Sequence, residues 1–292
     1  TAVPGCHSFG SFRLLILPAS RRRSRVGRPA ARECRAMEHP PPRRPDREDV
    51  LDGLAYALWL PHSFGASERG DRPRPAALEP PWPGVVILHG AGSSKENHAD
   101  FARLAAASGW AALAFDQRGH GQSAPAMSPD AVGDVARMAE LLAATSGVDE
   151  RRVAVRGSSM GGFMAIQAAA ASRHIAAVIA ICPAPADSLA RGLRQGRFEM
   201  RVSDPEARIE WLRGRDLRDA VRSLAGRPLF LLHAEGDEQI PHHRSEELYE
   251  AAAEPKRLLV VPGGNHRTLQ HDAELQAEAL RWVAAALGLD SR

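Results

Sequence analysis

The sequence predicts an α/β protein: a mostly parallel central sheet covered by helices on both faces, with a short helical insertion capping one edge. Three observations carry this. Short, unbroken apolar runs alternate with stretches of helical length, and unbroken apolar strands belong to a sheet buried on both faces. Several runs end in glycine-bearing turns, at His89-Gly90-Ala91-Gly92, at Gly157 and at Pro262-Gly263-Gly264, and right-handed crossovers place such strand exits along one edge. The alternation lapses between Pro183 and Arg227, which marks the insertion.

Taken in order, residues 54–60 (LAYALWL) alternate loosely and read as an early antiparallel strand, and 61–83 read as a loop rich in Pro, Arg and Gly. Residues 84–89 form a buried strand without polar interruption. Residues 97–108 are helical, ended by Gly109, and 110–115 form the next strand. Residues 130–146 are helical, with Pro129 just before them. Residues 153–155 lead through a glycine-flanked turn into a helix that runs to Ala171. Strands follow at 177–181, 229–233 and 258–261, and helices at 245–253 and 272–287. Inside the insertion, Asp204-Pro205-Glu206 is a strong helix start, followed by Ile209, Trp211 and Leu212, with a second short helix at 216–224.

The apolar fraction of 44% and charged fraction of 25% over 292 residues are those of an ordinary globular protein. No run of eighteen apolar residues occurs, so no membrane span is expected. The net charge of +3 conceals an asymmetry: residues 1–36 hold eight arginines against one acid, Glu33, leaving a mildly acidic body. That body gives no reason to expect a nucleic-acid partner. Residues 1–50 are expected to be a basic, disordered leader, Pro- and charge-rich over 38–49, with Met37 as the natural start, and 51–292 the folded domain. A targeting peptide is the poorer reading, because Leu14-Leu15-Ile16-Leu17 is too short an apolar core and the arginine run follows it. Cys6 and Cys34 lie in the leader and only Cys182 in the body. The fold therefore relies on no internal disulfide, which fits a reducing, cytoplasmic setting.

The chemistry is legible at Gly157-Ser158-Ser159-Met160-Gly161, set between a strand and a helix. That is the sequence form of a nucleophile elbow, a turn so tight that the serine is strained and its hydroxyl stands above the sheet edge. A serine hydroxyl is a poor nucleophile at neutral pH and needs a base, which in turn needs an orienting acid. Asp237, in the turn after 229–233, is the expected acid, ahead of Glu235 and Glu238; His266, on the glycine-rich loop after 258–261, is the expected base, ahead of His271. The order Ser, Asp, His is that of one particular fold. The backbone amides of Ala91 and Met160 are the expected oxyanion donors, with Gly90 beside the substrate; Leu189, Phe198 and Trp211 are candidates to line an acyl pocket, alongside Leu193 and Met200. No metal or organic cofactor is required.

Together these motifs resemble the α/β-hydrolase family, over about residues 54–287. Asp116-Gln117-Arg118-Gly119-His120-Gly121-Gln122-Ser123 is similar to that family's D-x-R-G-H-G-x-S segment, in which His120 reads as a structural loop residue. His233 through Pro241 is similar to its H-G-x-x-D-x-x-V-P segment, departing at Ala234 and Ile240. The absence of a second glycine pair after His89-Gly90 argues against the H-G-G-G oxyanion loop of one esterase branch. Within the family the chain looks most like small bacterial serine esterases and the hydrolase domains related to dienelactone hydrolases and prolyl-oligopeptidase-type enzymes. It carries Ser159 where dienelactone hydrolases proper use cysteine, and lacks the large propeller domain of the oligopeptidases. The resemblance implies an α/β-hydrolase fold and a carboxylic-ester hydrolase acting on a small-molecule ester through an acyl-enzyme. Amide, thioester or lactone hydrolysis or acyl transfer by the same triad is the alternative, and a non-catalytic ligand-binding role the third reading.

Overall fold

The computed structural model describes residues 42–61 and 79–289. The expectations for residues 1–41, and for the loop over 62–78, fall outside them. Eight strands form one sheet in the order β1-β2-β4-β3-β5-β6-β7-β8. They are β1 (Arg47–Leu51), β2 (Leu54–Trp59), β3 (Trp82–Leu88), β4 (Ala111–Phe115), β5 (Val148–Ser158), β6 (Ala177–Ile181), β7 (Leu229–Ala234) and β8 (Lys256–Val261). β2 is antiparallel to β1 and β4, and the remaining pairs are parallel. The helices are α1 (Ala99–Ala107), α2 (Ala131–Ala143), α3 (Met160–Ala171), α4 (Ala186–Arg194), α5 (Pro205–Arg213), α6 (Leu217–Arg222), α7 (His243–Ala251) and α8 (Ala273–Ala286).

Strand side chains alternate between two cores, one on each face. Val86 and Leu88 of β3 join Leu113, Val155, Val178 and Leu231 beneath α2 and α3. Val85 and Ile87 join Ala112, Ala154, Ile179 and Phe230 beneath α1 and α8. The period-2 alternation that a half-exposed strand would show as polar and apolar residues appears here as two apolar sets.

Two elements were not expected. β1 lies partly in the segment read as disordered leader, which corrects the domain start. It is an exposed, charged edge strand (REDVL) that pairs with β2 through Leu51 and Leu54. The intervening Asp52 and Gly53 both have positive φ, at 50° and 80°, the geometry for which an Asp-Gly pair is the standard hairpin signal. Its charge suits an edge, where it discourages pairing with other chains. The other is α4, whose Leu189, Ala190 and Gly192 are buried. β3 and β5 also begin earlier than predicted, at Trp82 and Val148, where an irregularity in register joins them.

The insertion between β6 and β7 divides by function. α5 and α6 belong to the body: Ile209, Leu212, Leu217 and Val221 enter the core under α3. Only α4 and the segment after it reach the strand exits where the candidate residues collect.

Candidate active site

The turn from Gly157 to Gly161 depends on two close approaches. A Cβ at Gly157 would collide with the Gly161 carbonyl, and one at Gly161 would meet the Leu88 and His89 carbonyls at 2.5 and 2.6 Å. Only glycine lets β5, α3 and the exit of β3 pack this tightly. Ser159 between them sits at φ 54°, ψ −115°, a strained conformation for a residue with a Cβ. It is held there because its N–H donates to Ile181 O at 2.9 Å and its carbonyl accepts from Phe163 N and Ala184 N, both at 3.1 Å. Ser159 and His266 line one cavity of about 900 Å³ with Gly90, Ala91, Leu189 and Phe198. Among the described residues the Ser159 hydroxyl has no hydrogen-bond partner. The structure thus brings the two together at one cavity without closing the bond between them.

Asp237 and His266 do meet: His266 Nδ1 donates to Asp237 Oδ2 at 2.7 Å. The other carboxylate oxygen accepts from Gln239 N and Ile240 N, each at 2.8 Å. His233 Nε2 lies 3.3 Å from Oδ2 while also donating to Ile240 O at 2.9 Å. Burial alone would raise the Asp237 carboxyl, but the hydrogen bonds from His233, His266 and Ile240 outweigh it and hold the group well below the usual carboxylate range. Cys182, His233 and Asp237 place a thiol, an imidazole and a carboxylate within 4.8 Å of one another. With the carboxylate's lone pairs met by four donors, this cluster reads as support for the acid. The rival Glu238 is exposed and accepts from His266 N at 3.3 Å, and Glu235 is exposed.

The loop after β3 that carries Ala91 is braced by the D-x-R-G-H-G segment, whose role the sequence did not reveal. Gln117 N donates to His89 Nε2 at 3.0 Å, and Gln117 Nε2 to His89 O at 2.6 Å. His89 Nδ1 donates in turn to Gly90 O at 2.7 Å. Asp116 accepts from Lys95 N at 2.7 Å and from Gln122 N at 2.9 Å, and Arg118 forks onto Asp134 at 2.5 and 2.9 Å. The loop that carries the Ala91 N–H is thereby clamped at both ends. The Met160 N–H lies at the start of α3, among the amides that a helix leaves without intrahelical acceptors. His120 packs edge-on against His89 with ring centroids 4.9 Å apart, in the structural role expected of it.

A second network ties the end of β5 to the segment after His266. Ser158 Oγ donates to Gln270 Oε1 at 2.8 Å. Arg156, fully buried, donates to Gln270 O and His98 Nδ1, both at 2.9 Å, and lies over the Phe101 ring at 4.7 Å. Burial lowers its guanidinium to about 10. His271 pairs with Asp100 at 2.8 Å and stays exposed. Trp211 is the candidate that the structure removes from the cavity. It packs edge-on to Phe163 at 6.1 Å, with the guanidiniums of Arg208 and Arg215 4.2 and 4.8 Å from its ring centroid, because α5 docks on the body. Leu193 and Met200 also pack against the core under α3.

Three of these histidines are buried and held neutral. Burial, then the neighbouring His120, lowers His89 from 6.5 to about 4; burial, then the Arg156 charge, lowers His98; burial lowers His120. In the unfolded chain each takes up a proton near pH 6.5, whereas the folded state resists it, so their contribution to stability is complete above that pH and falls away below it. The thermal unfolding midpoint is therefore expected to decline as pH drops from about 6.5 toward 4. A midpoint unchanged between pH 7 and 5 would contradict their burial as neutral rings.

Residues 79–204 match the family described as serine aminopeptidase, S33; the match spans the glycine loop and Ser159 and ends before Asp237. An uncharacterised protein of Mycobacterium tuberculosis is 28% identical over 242 residues, covering 80% of this chain and 76% of its own. Est1E of Butyrivibrio proteoclasticus, solved with ferulic acid bound, superposes with a TM-score of 0.62 at 20% identity, covering 82% of this chain and 99% of that one. A soluble variant of the Saccharomyces cerevisiae monoglyceride lipase, solved with a substrate analogue, superposes at 0.63 with 17% identity, covering 84% and 97%. Among the described residues no helix is long and apolar enough to cross a membrane. The strand order, the tight turn between β5 and α3 and these likenesses agree: the chain has the α/β-hydrolase fold.

Proposed function

We propose that the chain is a serine carboxylesterase working through an acyl-enzyme on a small-molecule ester. The observation that carries this reading is that His266, hydrogen-bonded to Asp237, lines the same cavity as Ser159. His266 takes the Ser159 proton as the hydroxyl attacks the ester carbonyl; their hydrogen bond closes in the substrate complex, as is common when an unliganded site tightens on binding. The imidazolium that forms is stabilised by Asp237, then protonates the leaving alcohol. The Ala91 and Met160 amides receive the oxyanion, each worth about 2.7–4 kcal/mol in the transition state, aided by the positive end of α3. His266 next activates water, which releases the acid and frees the serine. No step calls for a metal or an organic cofactor.

The name of the matched family favours amide hydrolysis as a second reading, since an aminopeptidase acts beside a free α-ammonium group. Recognition of that group needs negative charge. The cavity offers one carboxylate, Glu238, against Arg191, Arg197 and Arg267, so the ester reading is preferred. The test is a fluorophosphonate probe, which phosphonylates only an activated serine, with loss of fluoride. One equivalent is expected on the peptide containing Ser159, together with turnover of 4-nitrophenyl butyrate. Folded protein that takes up no probe would overturn the proposal.

A further inference from the structure

The wall of the cavity carries more than catalysis asks of it. Arg191 on α4, Arg197 in the segment after α4, and Arg267 beside His266 all line it, and Glu238 is the one carboxylate among the lining residues. These cations come from separate segments and converge on one hollow, unlike a solvated stripe along a single helix. Elsewhere in the insertion, three exposed arginines are matched locally, Arg213 with Glu210 at 2.5 Å, Arg218 with Asp216 and Arg222 with Asp219, both at 2.7 Å, whereas Arg194, Arg201 and Arg215 are exposed without an ion pair among the described residues but lie outside the cavity. Among the described residues Arg197 and Arg267 form no ion pair, and Arg191 has only a long contact of 3.7 Å to Asp187. Glu238 is committed to His266 N at 3.3 Å and Gln239 Nε2 at 3.2 Å. A concave site lined by one sign of charge concentrates its field on whatever enters. The same wall has an apolar portion in Ala184, Leu189, Phe198 and Ile240.

Resting on the esterase reading above, we infer that the natural substrate is an ester carrying an anionic group, carboxylate or phosphate, on an otherwise apolar body. The anion is held by Arg197 and Arg267, with Arg191 at the rim, while the ester carbonyl lies at Ser159.

The experiment compares two matched pairs at low ionic strength. One places the anion on the acyl side: mono-4-nitrophenyl glutarate against 4-nitrophenyl pentanoate. The other places it on the alcohol side: 4-acetoxybenzoate against its methyl ester. In at least one pair kcat/KM is expected to favour the anion by about tenfold or more, the equivalent of one well-placed charge contact. That ratio should fall toward unity in 0.5 M NaCl and in the Arg197→Gln/Arg267→Gln double variant. Arg213→Gln, outside the cavity and paired on its own helix, should leave it unchanged. A neutral preference in both pairs, indifferent to salt and to the double substitution, overturns the inference and leaves the esterase reading standing. No turnover of any of the four esters overturns the esterase reading and the inference with it.

Discussion

Ser159→Ala is expected to lower kcat for 4-nitrophenyl butyrate by about 10⁶-fold, to a residue set by the oxyanion donors and binding alone. The fold should survive. The substitution removes one oxygen that has no hydrogen-bond partner among the described residues, and alanine keeps the Cβ that the strained φ of 54° already accommodates. The amide that donates to Ile181 O at 2.9 Å is untouched. Unfolding should therefore stay within a few degrees of the wild type while turnover and probe labelling vanish. Comparable turnover in the two proteins would refute an acyl-enzyme at this position.

Asp237→Asn is expected to cost about 10⁴-fold in kcat/KM, by a mechanism the structure makes specific. One oxygen of Asp237 accepts two backbone amides, from Gln239 and Ile240, and the other faces His266 Nδ1 and His233 Nε2. An asparagine can leave its carbonyl toward the turn amides only by aiming its NH₂ at His266. That donor needs a lone pair on Nδ1, which moves the imidazole proton to Nε2, where it confronts the serine and blocks proton uptake. Turning the amide the other way sets NH₂ against two N–H groups of the backbone and loosens the turn. The checks are kcat/KM together with the rate of fluorophosphonate labelling, which should fall in parallel. Glu238→Gln, carrying the same change of charge one residue away, should lose less than tenfold. If Asp237→Asn stayed within tenfold and Glu238→Gln did not, the acid would have been misassigned.

The sheet was readable because its strands are apolar without interruption, a pattern that only burial on both faces demands. β1 was missed although its signal was present: Asp52-Gly53 names the hairpin, but the charge of Arg47–Leu51 resembles a leader, and edge strands carry charge for reasons of their own. α4 was missed because its apolar face is short and is completed by Phe198 packed against Gly192, a contact between residues that a helical reading treats separately. The D-x-R-G-H-G segment was recognised as a pattern, yet its work of clamping the loop around His89 through Gln117 and Asp116 is visible only when those side chains meet. Gly90, Leu189 and Phe198 line the cavity, whereas Trp211 does not, since an aromatic residue in an insertion can face the site or the body equally well.

By itself the sequence determined the layered fold, the strained serine between its glycines and the chain order of acid and base, because each is written in local periodicity or in residues that tolerate only one backbone geometry. The tertiary structure alone decided that Asp237, and not its neighbours, engages the imidazole of His266, that half of the insertion belongs to the body, and that arginines from separate segments share one wall with Ser159. Those outcomes depend on distances between residues far apart along the chain, which follow from how the helices dock on the sheet.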